Sequence, residues 1–217
     1  MPKRIRAGAL TVLSITGVTL GAALAVQADA QPAPVATTNA AATKTAASPK
    51  FLAAADLPPH PTSSWTAGKV TDGVPDELRL CLEEALLAYD SRYRPFHTDL
   101  DTSARQLTVV VGSTAKAKAL ATRLNKEIRS CATRIEQADP ETEATYKGYG
   151  TLPVEEGARV HGLHTVTSWG ASDVRLLSVG RDGRTVTVVE WSQLGDLGDA
   201  PVKAFKKTTT TAVNKLY

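Results

Sequence analysis

Val174-Arg-Leu-Leu-Ser-Val-Gly-Arg-Asp-Gly-Arg-Thr-Val-Thr-Val-Val-Glu-Trp191 is the stretch that decides the fold. Aliphatic and β-branched residues fill both arms, and Asp182-Gly183 lies between them as a two-residue hairpin turn. That turn predicts a register. Val179 pairs with Val186, Leu177 with Val188 and Arg175 with Glu190 on one face. On the other, Ser178 pairs with Thr187, Leu176 with Val189 and Val174 with Trp191. The opposite charges of Arg175 and Glu190 agree with it, since such cross-strand pairs stabilise a sheet. Both faces carry apolar residues. One must cover a core; the other is covered by a helix or partly open.

Outward from the hairpin, residues 159–168 predict a further strand. Residues 92–100 and 104–111 predict two more, joined by a turn at Asp101 to Ser103. Two helical segments precede and separate these elements. In residues 75–89 the positions Leu78, Cys81, Leu82, Ala85 and Tyr89 share one face, and Asp76 and Glu77 suit a helix start. In residues 114–137 the positions Ala117, Leu120, Leu124, Ile128, Cys131 and Ile135 do the same, with Ser113 as N-cap. Asp139-Pro140 opens what reads as a polar connection. A last helix begins near Asp199 and carries Val202, Phe205, Val213 and Leu216 at helical spacing. Its run Thr208 to Thr211 is a mediocre helix former that tertiary packing must hold. The fold class is α+β: an antiparallel sheet with helices packed on it and a cleft.

Cys81 and Cys131 are the only cysteines among 217 residues. Each sits on the apolar face of its helix, and an even count in an exported chain favours a disulfide. A reactive thiol would need a nearby base or cation, and a zinc site two further ligands.

Residues 1–30 read as an export signal. Lys3, Arg4 and Arg6 precede a long uncharged stretch, and Ala28-Asp29-Ala30 places small residues where a signal peptidase reads, before Gln31. An uncleaved membrane anchor is the alternative, weakened by Thr11, Ser14, Thr16, Gly17, Thr19 and Gly21. No cysteine is available there for lipid attachment, so a lipoprotein is not expected. Residues 31–50 are mostly Ala, Thr and Pro and cannot bury enough surface to offset ordering, so a disordered linker is expected. Residues 51–217 form the folded domain.

Charge excludes one class of partner. The formal net charge is +3, and the first thirty residues supply Lys3, Arg4 and Arg6 against Asp29, so the remainder is close to neutral. A nucleic-acid binder would carry a basic surface. Apolar residues at 42% and charged residues at 22% describe a soluble folded chain; aromatics are only 5%.

The run Leu177 to Trp191, the segment Asp199 to Tyr217 and the N-terminal motif Phe51-Leu-Ala-Ala-Ala-Asp-Leu-Pro58 resemble exported actinobacterial proteins described as sensor-domain-containing. More distantly, these are similar to the PknH-like extracellular sensor domain family. The resemblance spans about residues 50–217. It implies an antiparallel sheet with helices against it and a cleft for a ligand, and it carries over no catalytic residue. The chain departs from that family in having one cysteine pair where the kinase sensor has two.

Candidate chemistry is sparse. His161 and His164 are three apart, so on a strand they face opposite ways and do not share a metal; one surface and one partly buried histidine are expected. Glu155-Glu156 and Asp99 with Asp101 lie in or beside turns, where solvated acids are common. There is no Gly-x-Ser-x-Gly elbow and no phosphate-binding glycine loop, although a serine triad can be assembled from distant residues. Of the three tryptophans, Trp65, Trp169 and Trp191, the last joins Val174, Leu176 and Val189 in an expected partly open apolar face. Those four residues and Trp169 are the candidate ligand contacts. No cofactor or metal is expected. The first reading is a secreted or cell-envelope, non-catalytic ligand-binding or sensor-type domain, with an unknown small molecule or envelope component as partner. A structural or adhesive envelope protein and a secreted hydrolase are the alternatives.

Overall fold

The computed structural model describes residues 48–217; the export signal and nearly all of the linker expected at 31–50 lie outside the described residues. The elements follow in order: β1 (Thr66–Ala67), β2 (Thr71–Asp72), α1 (Asp76–Leu86), β3 (Ser91–His97), β4 (Ser103–Val110), α2 (Thr114–Arg129), α3 (Cys131–Ala138), β5 (Thr142–Leu152), β6 (Ala158–Thr167), β7 (Ser172–Asp182), β8 (Thr185–Leu194) and α4 (Val202–Asn214). The eight strands form one antiparallel sheet in the order β1-β3-β4-β8-β7-β6-β5, with β2 also paired to β3. The α+β class expected from the sequence is the class observed.

Strand periodicity explains the layers. Alternate residues face opposite sides of a strand. On one side Leu107, Val109, Leu163, Leu177, Val179, Val186 and Val188 pack beneath α1, α2 and α3. On the other, Val160, Val174, Leu176, Val189 and Trp191 pack beneath α4 and the N-terminal residues Leu52 and Leu57. The sheet is therefore covered on both faces, which is why both arms of the hairpin carry apolar residues on both faces.

The hairpin register differs from the expected one by two residues. Asp182 pairs with Thr185, Val179 with Val188 and Leu176 with Trp191, so the loop is Gly183-Arg184. Gly183 takes a φ of 52° at the first loop position, where a type II′ turn needs positive φ. A slip of two keeps every side chain on its face, whereas a slip of one would exchange the faces. The expected face assignments therefore survive the wrong turn.

Two further elements depart from expectation. The helix expected over 114–137 breaks at Ser130, whose hydroxyl donates to the carbonyls of Lys126 and Glu127, competing with the helical ladder. The connection expected after Pro140 is strand β5. Its inward residues Thr142, Ala144 and Tyr146 alternate with exposed Glu143, Thr145 and Lys147 until a bulge between Gly148 and Gly150 shifts the register.

Cys81 in α1 and Cys131 at the start of α3 form the expected disulfide, with Cα atoms 5.2 Å apart. Ser113 caps α2 by accepting from the Lys116 backbone N–H. The threonine run of α4 is held by its surroundings. Thr208 donates to the Asp56 carbonyl at 2.6 Å, and Thr209 donates to the Ser178 hydroxyl at 2.9 Å. Opposite Val213, Gly180 leaves no room for a side chain, and this absence lets α4 lie close to the sheet.

Candidate functional site

The partly open face expected at Trp191, Val174, Leu176 and Val189 is closed. All four are buried, at 3, 0, 0 and 1% exposure, under Phe205 and Ala212 of α4 and under Leu52. The reason is energetic: each large apolar side chain left bare would forgo roughly 1.5–3 kcal/mol, and α4 carries apolar residues at the right spacing to cover them. Trp169 has the opposite fate. It stands in the turn between β6 and β7 with 67% of its surface exposed, apart from the other four.

A concavity lies elsewhere, at the sheet edge where β3 begins and β4 ends. It is a groove of about 780 Å³. Ligand pockets commonly enclose about 300–1,000 Å³. Leu86, Leu87 and Tyr89 form one wall, at the end of α1 and just beyond it. Phe51 and Val110 provide apolar surface from the N-terminal segment and β4. Four of the charged groups around it are paired, and Asp90 also lines it. Arg79 meets Asp76 at 2.8 Å and Glu83 at 2.9 Å, and Arg92 meets Asp72 at 3.3 Å. The sequence held a partial signal for this site. Leu87 falls off the buried face of α1, and it is 75% exposed.

α1, the groove's outer wall, is fixed from beneath by a charge network. Arg105 of β4 pairs with the fully buried Glu190 of β8 and reaches Glu77 of α1 at 2.8 Å. Arg175 approaches the other Glu190 oxygen at 3.7 Å, too far for a hydrogen bond, and that Oε1 has no hydrogen-bond partner.

The two histidines face opposite sides, as their spacing predicts. His161 is fully buried rather than partly so, between Tyr146 and Asn125. Burial, then the nearby Arg159 and Arg129 charges, lower its pKa to about 4. His164 meets Ser172 at 2.9 Å. This is the nearest approach to a nucleophile and base, but its wiring runs the wrong way. The Ser172 hydroxyl donates its single proton to the Gly195 carbonyl at 3.0 Å, so His164 donates to the serine instead of drawing a proton from it. The paired acids are equally separate. Asp101 accepts from the Leu194 N–H, and Glu156 accepts from the Gly183 N–H. Among the described residues no group of three metal-ligating side chains converges, and no helix is long and apolar enough to cross a membrane.

The fold and groove describe an α+β domain with a half-open pocket at one sheet edge. No family model matches the chain, and no curated protein matches it. Two solved structures are similar. The extracellular domain of PknH from Mycobacterium tuberculosis is 15% identical with a TM-score of 0.48, over 76% of this chain and 98% of that one. An uncharacterized Rv0999 ortholog from Mycobacterium smegmatis is 9% identical with a TM-score of 0.38, over 72% of this chain and 90% of that one. Likenesses of this degree leave function to be argued from the chain's own residues.

Proposed function

We propose that the chain is an exported, non-catalytic binding module that takes a small amphipathic ligand in the groove beside α1. The observation that carries this reading is the groove's make-up: apolar Phe51, Leu86, Leu87, Tyr89 and Val110, with the ion-paired Arg79, Glu83, Arg92 and Asp72 around them. An apolar body would lie on the first set, and a polar handle would exchange with the second. The Cys81–Cys131 bridge supports an oxidising, extracytoplasmic setting.

Native mass spectrometry of the mature protein, secreted from an actinobacterial host, tests the reading. A reproducible mass excess that disappears on denaturation, and is absent from Leu87→Glu, supports it. Leu87 is exposed, so the substitution should leave the fold intact. A bare mass, or an excess that Leu87→Glu retains, would count against the groove.

A second reading, a structural or adhesive envelope protein, draws on a separate feature. Trp169, Leu100 and Leu194 are all more than half exposed, and their turns and strand end lie at the end of the sheet away from the groove. Trp169, a candidate contact from the sequence, belongs to this reading and not to the groove.

A further inference from the structure

A second, smaller pocket of about 240 Å³ opens between α2 and the ends of β5, β6 and β7. Its composition differs from the groove's. Three cations line it, Lys118, Arg159 and Arg181, against one carboxylate, Glu156. The sheet register explains how the arginines come together. Thr151, Arg159 and Val179 are direct cross-strand neighbours, and Arg181 follows Val179 by two residues on the same face. Arg159 and Arg181 are therefore diagonal neighbours, about 7–8 Å apart in backbone terms. Like charges so placed repel. Glu156 offsets this only partly. It lies 3.9 Å from Arg181, and both its oxygens already accept from the Gly183 N–H.

The roof is equally particular. Lys118, Ala121, Thr122 and Asn125 recur at helical spacing along α2, and the small Ala121 with Gly157 and Ala158 leaves the space open. Asn125 is held by a chain of hydrogen bonds from the core. The Tyr146 hydroxyl donates to His161 Nδ1 at 2.9 Å, and His161 Nε2 donates to Asn125 Oδ1 at 2.7 Å. Asn125 Nδ2 gives one proton to the Ala121 carbonyl at 2.8 Å. An amide nitrogen carries two protons, so the second is left for an occupant of the pocket that Asn125 lines. The wiring needs a neutral imidazole, one nitrogen accepting and the other donating. With a pKa lowered to about 4, His161 is neutral at physiological pH.

We propose that this pocket binds a compact dianionic oxyanion, the chemistry shared by free phosphate and by the phosphoryl group of a small phosphate monoester. Arg159 and Arg181 supply planar, charge-assisted donors, Lys118 a third cation and Asn125 a fixed neutral donor. Glu156 is the resident anion that a ligand must work against.

Isothermal titration calorimetry of the full mature chain tests this, with inorganic phosphate and glycerol phosphate as probes and sodium chloride at matched ionic strength as reference. Saturable binding of phosphate assigns the site to the free ion. Saturable binding of glycerol phosphate alone assigns it to a phosphoryl group. In either case Arg159→Gln should weaken binding about tenfold or more, the loss of one charge-assisted hydrogen bond. Glu156→Gln should tighten it. Arg159 and Lys118 are exposed, so Arg159→Gln and a parallel Lys118→Gln should fold. Leu87→Glu should leave phosphate binding unchanged, which keeps this test separate from that of the groove. No saturable binding to either probe, or binding that Arg159→Gln alters less than about threefold, overturns the assignment; the threshold sits well below the one hydrogen bond expected.

Discussion

Arg105 and Glu190 stand directly opposite each other in the β4–β8 register and pair beneath α1, where the carboxylate has no exposure to solvent. The same guanidinium reaches Glu77 in the first turn of α1, so one arginine joins two strands to a helix. Removing one partner of a buried pair leaves an uncompensated charge. Arg105→Met should therefore destabilise the domain by about 3–5 kcal/mol, while the Arg105→Met/Glu190→Leu double variant should recover most of that loss. Urea unfolding of the three proteins measures both numbers. A single variant as stable as the parent would mean that Arg175 suffices for Glu190.

His161 makes stability depend on pH in a defined window. Its folded pKa is about 4, against 6.5 when exposed in the unfolded chain. Between those values the unfolded chain holds a proton that the folded chain does not. Stability is therefore complete above pH 6.5 and falls as the pH drops toward 4, by about 3 kcal/mol. A His161→Gln variant should show a flatter profile over that window. Asp56 acts lower down. Burial pushes its carboxyl up, but hydrogen bonds from Lys215 and Ala53 outweigh this and hold it below 3.8. Its contribution is present above pH 3.8 and is lost only below it.

The bridge between Cys81 and Cys131 closes a loop across 50 residues. In the chain-entropy model a loop of that length stabilises by about 4 kcal/mol. The Cys81→Ser/Cys131→Ser protein should lose close to that amount in a denaturant titration, with its m-value changed as the unfolded chain expands.

Gly180→Ala should cost about 1–3 kcal/mol, because its methyl group would meet Val213 and force α4 off the sheet. Thermal unfolding reads this directly. A neutral result would show that α4 can shift without loss.

A fluorophosphonate serine probe should leave the protein unlabelled. Ser172 spends its proton on the Gly195 carbonyl, and His164 is a donor to it. Stoichiometric labelling at Ser172 would revive the hydrolase alternative.

The sequence carried different features of this molecule with different clarity. Period-two and helical patterns located β3, β4, β6, β7, β8, α1, α2 and α4, and the faces of Cys81 and Cys131 foretold their bridge. Short-range turn chemistry was less decisive. Asp182-Gly183 and Gly183-Arg184 both supply the needed glycine, and the two registers bury the same residues. β5 stayed hidden because Gly148, Gly150 and its outward polar residues mask an edge strand. The candidate apolar contacts failed for a physical reason. A sequence records that Val174, Leu176, Val189 and Trp191 are apolar, but the cover over them comes from α4, whose placement depends on Gly180 and the whole sheet. The ion pair of Arg105 with Glu190 needs the β4–β8 pairing, which crosses more than eighty residues. The groove and the basic pocket likewise join segments far apart in the chain.

α4 follows every strand it covers, and the N-terminal residues that share its layer are fastened to its far end: Lys50 N–H donates to the Lys215 carbonyl, and Asp56 pairs with the Lys215 ammonium. During synthesis, the sheet face bearing Trp191 must stay bare until α4 emerges. The domain therefore cannot close gradually as its strands are made. It reaches its final state only when residues 50–57 and the end of α4 meet.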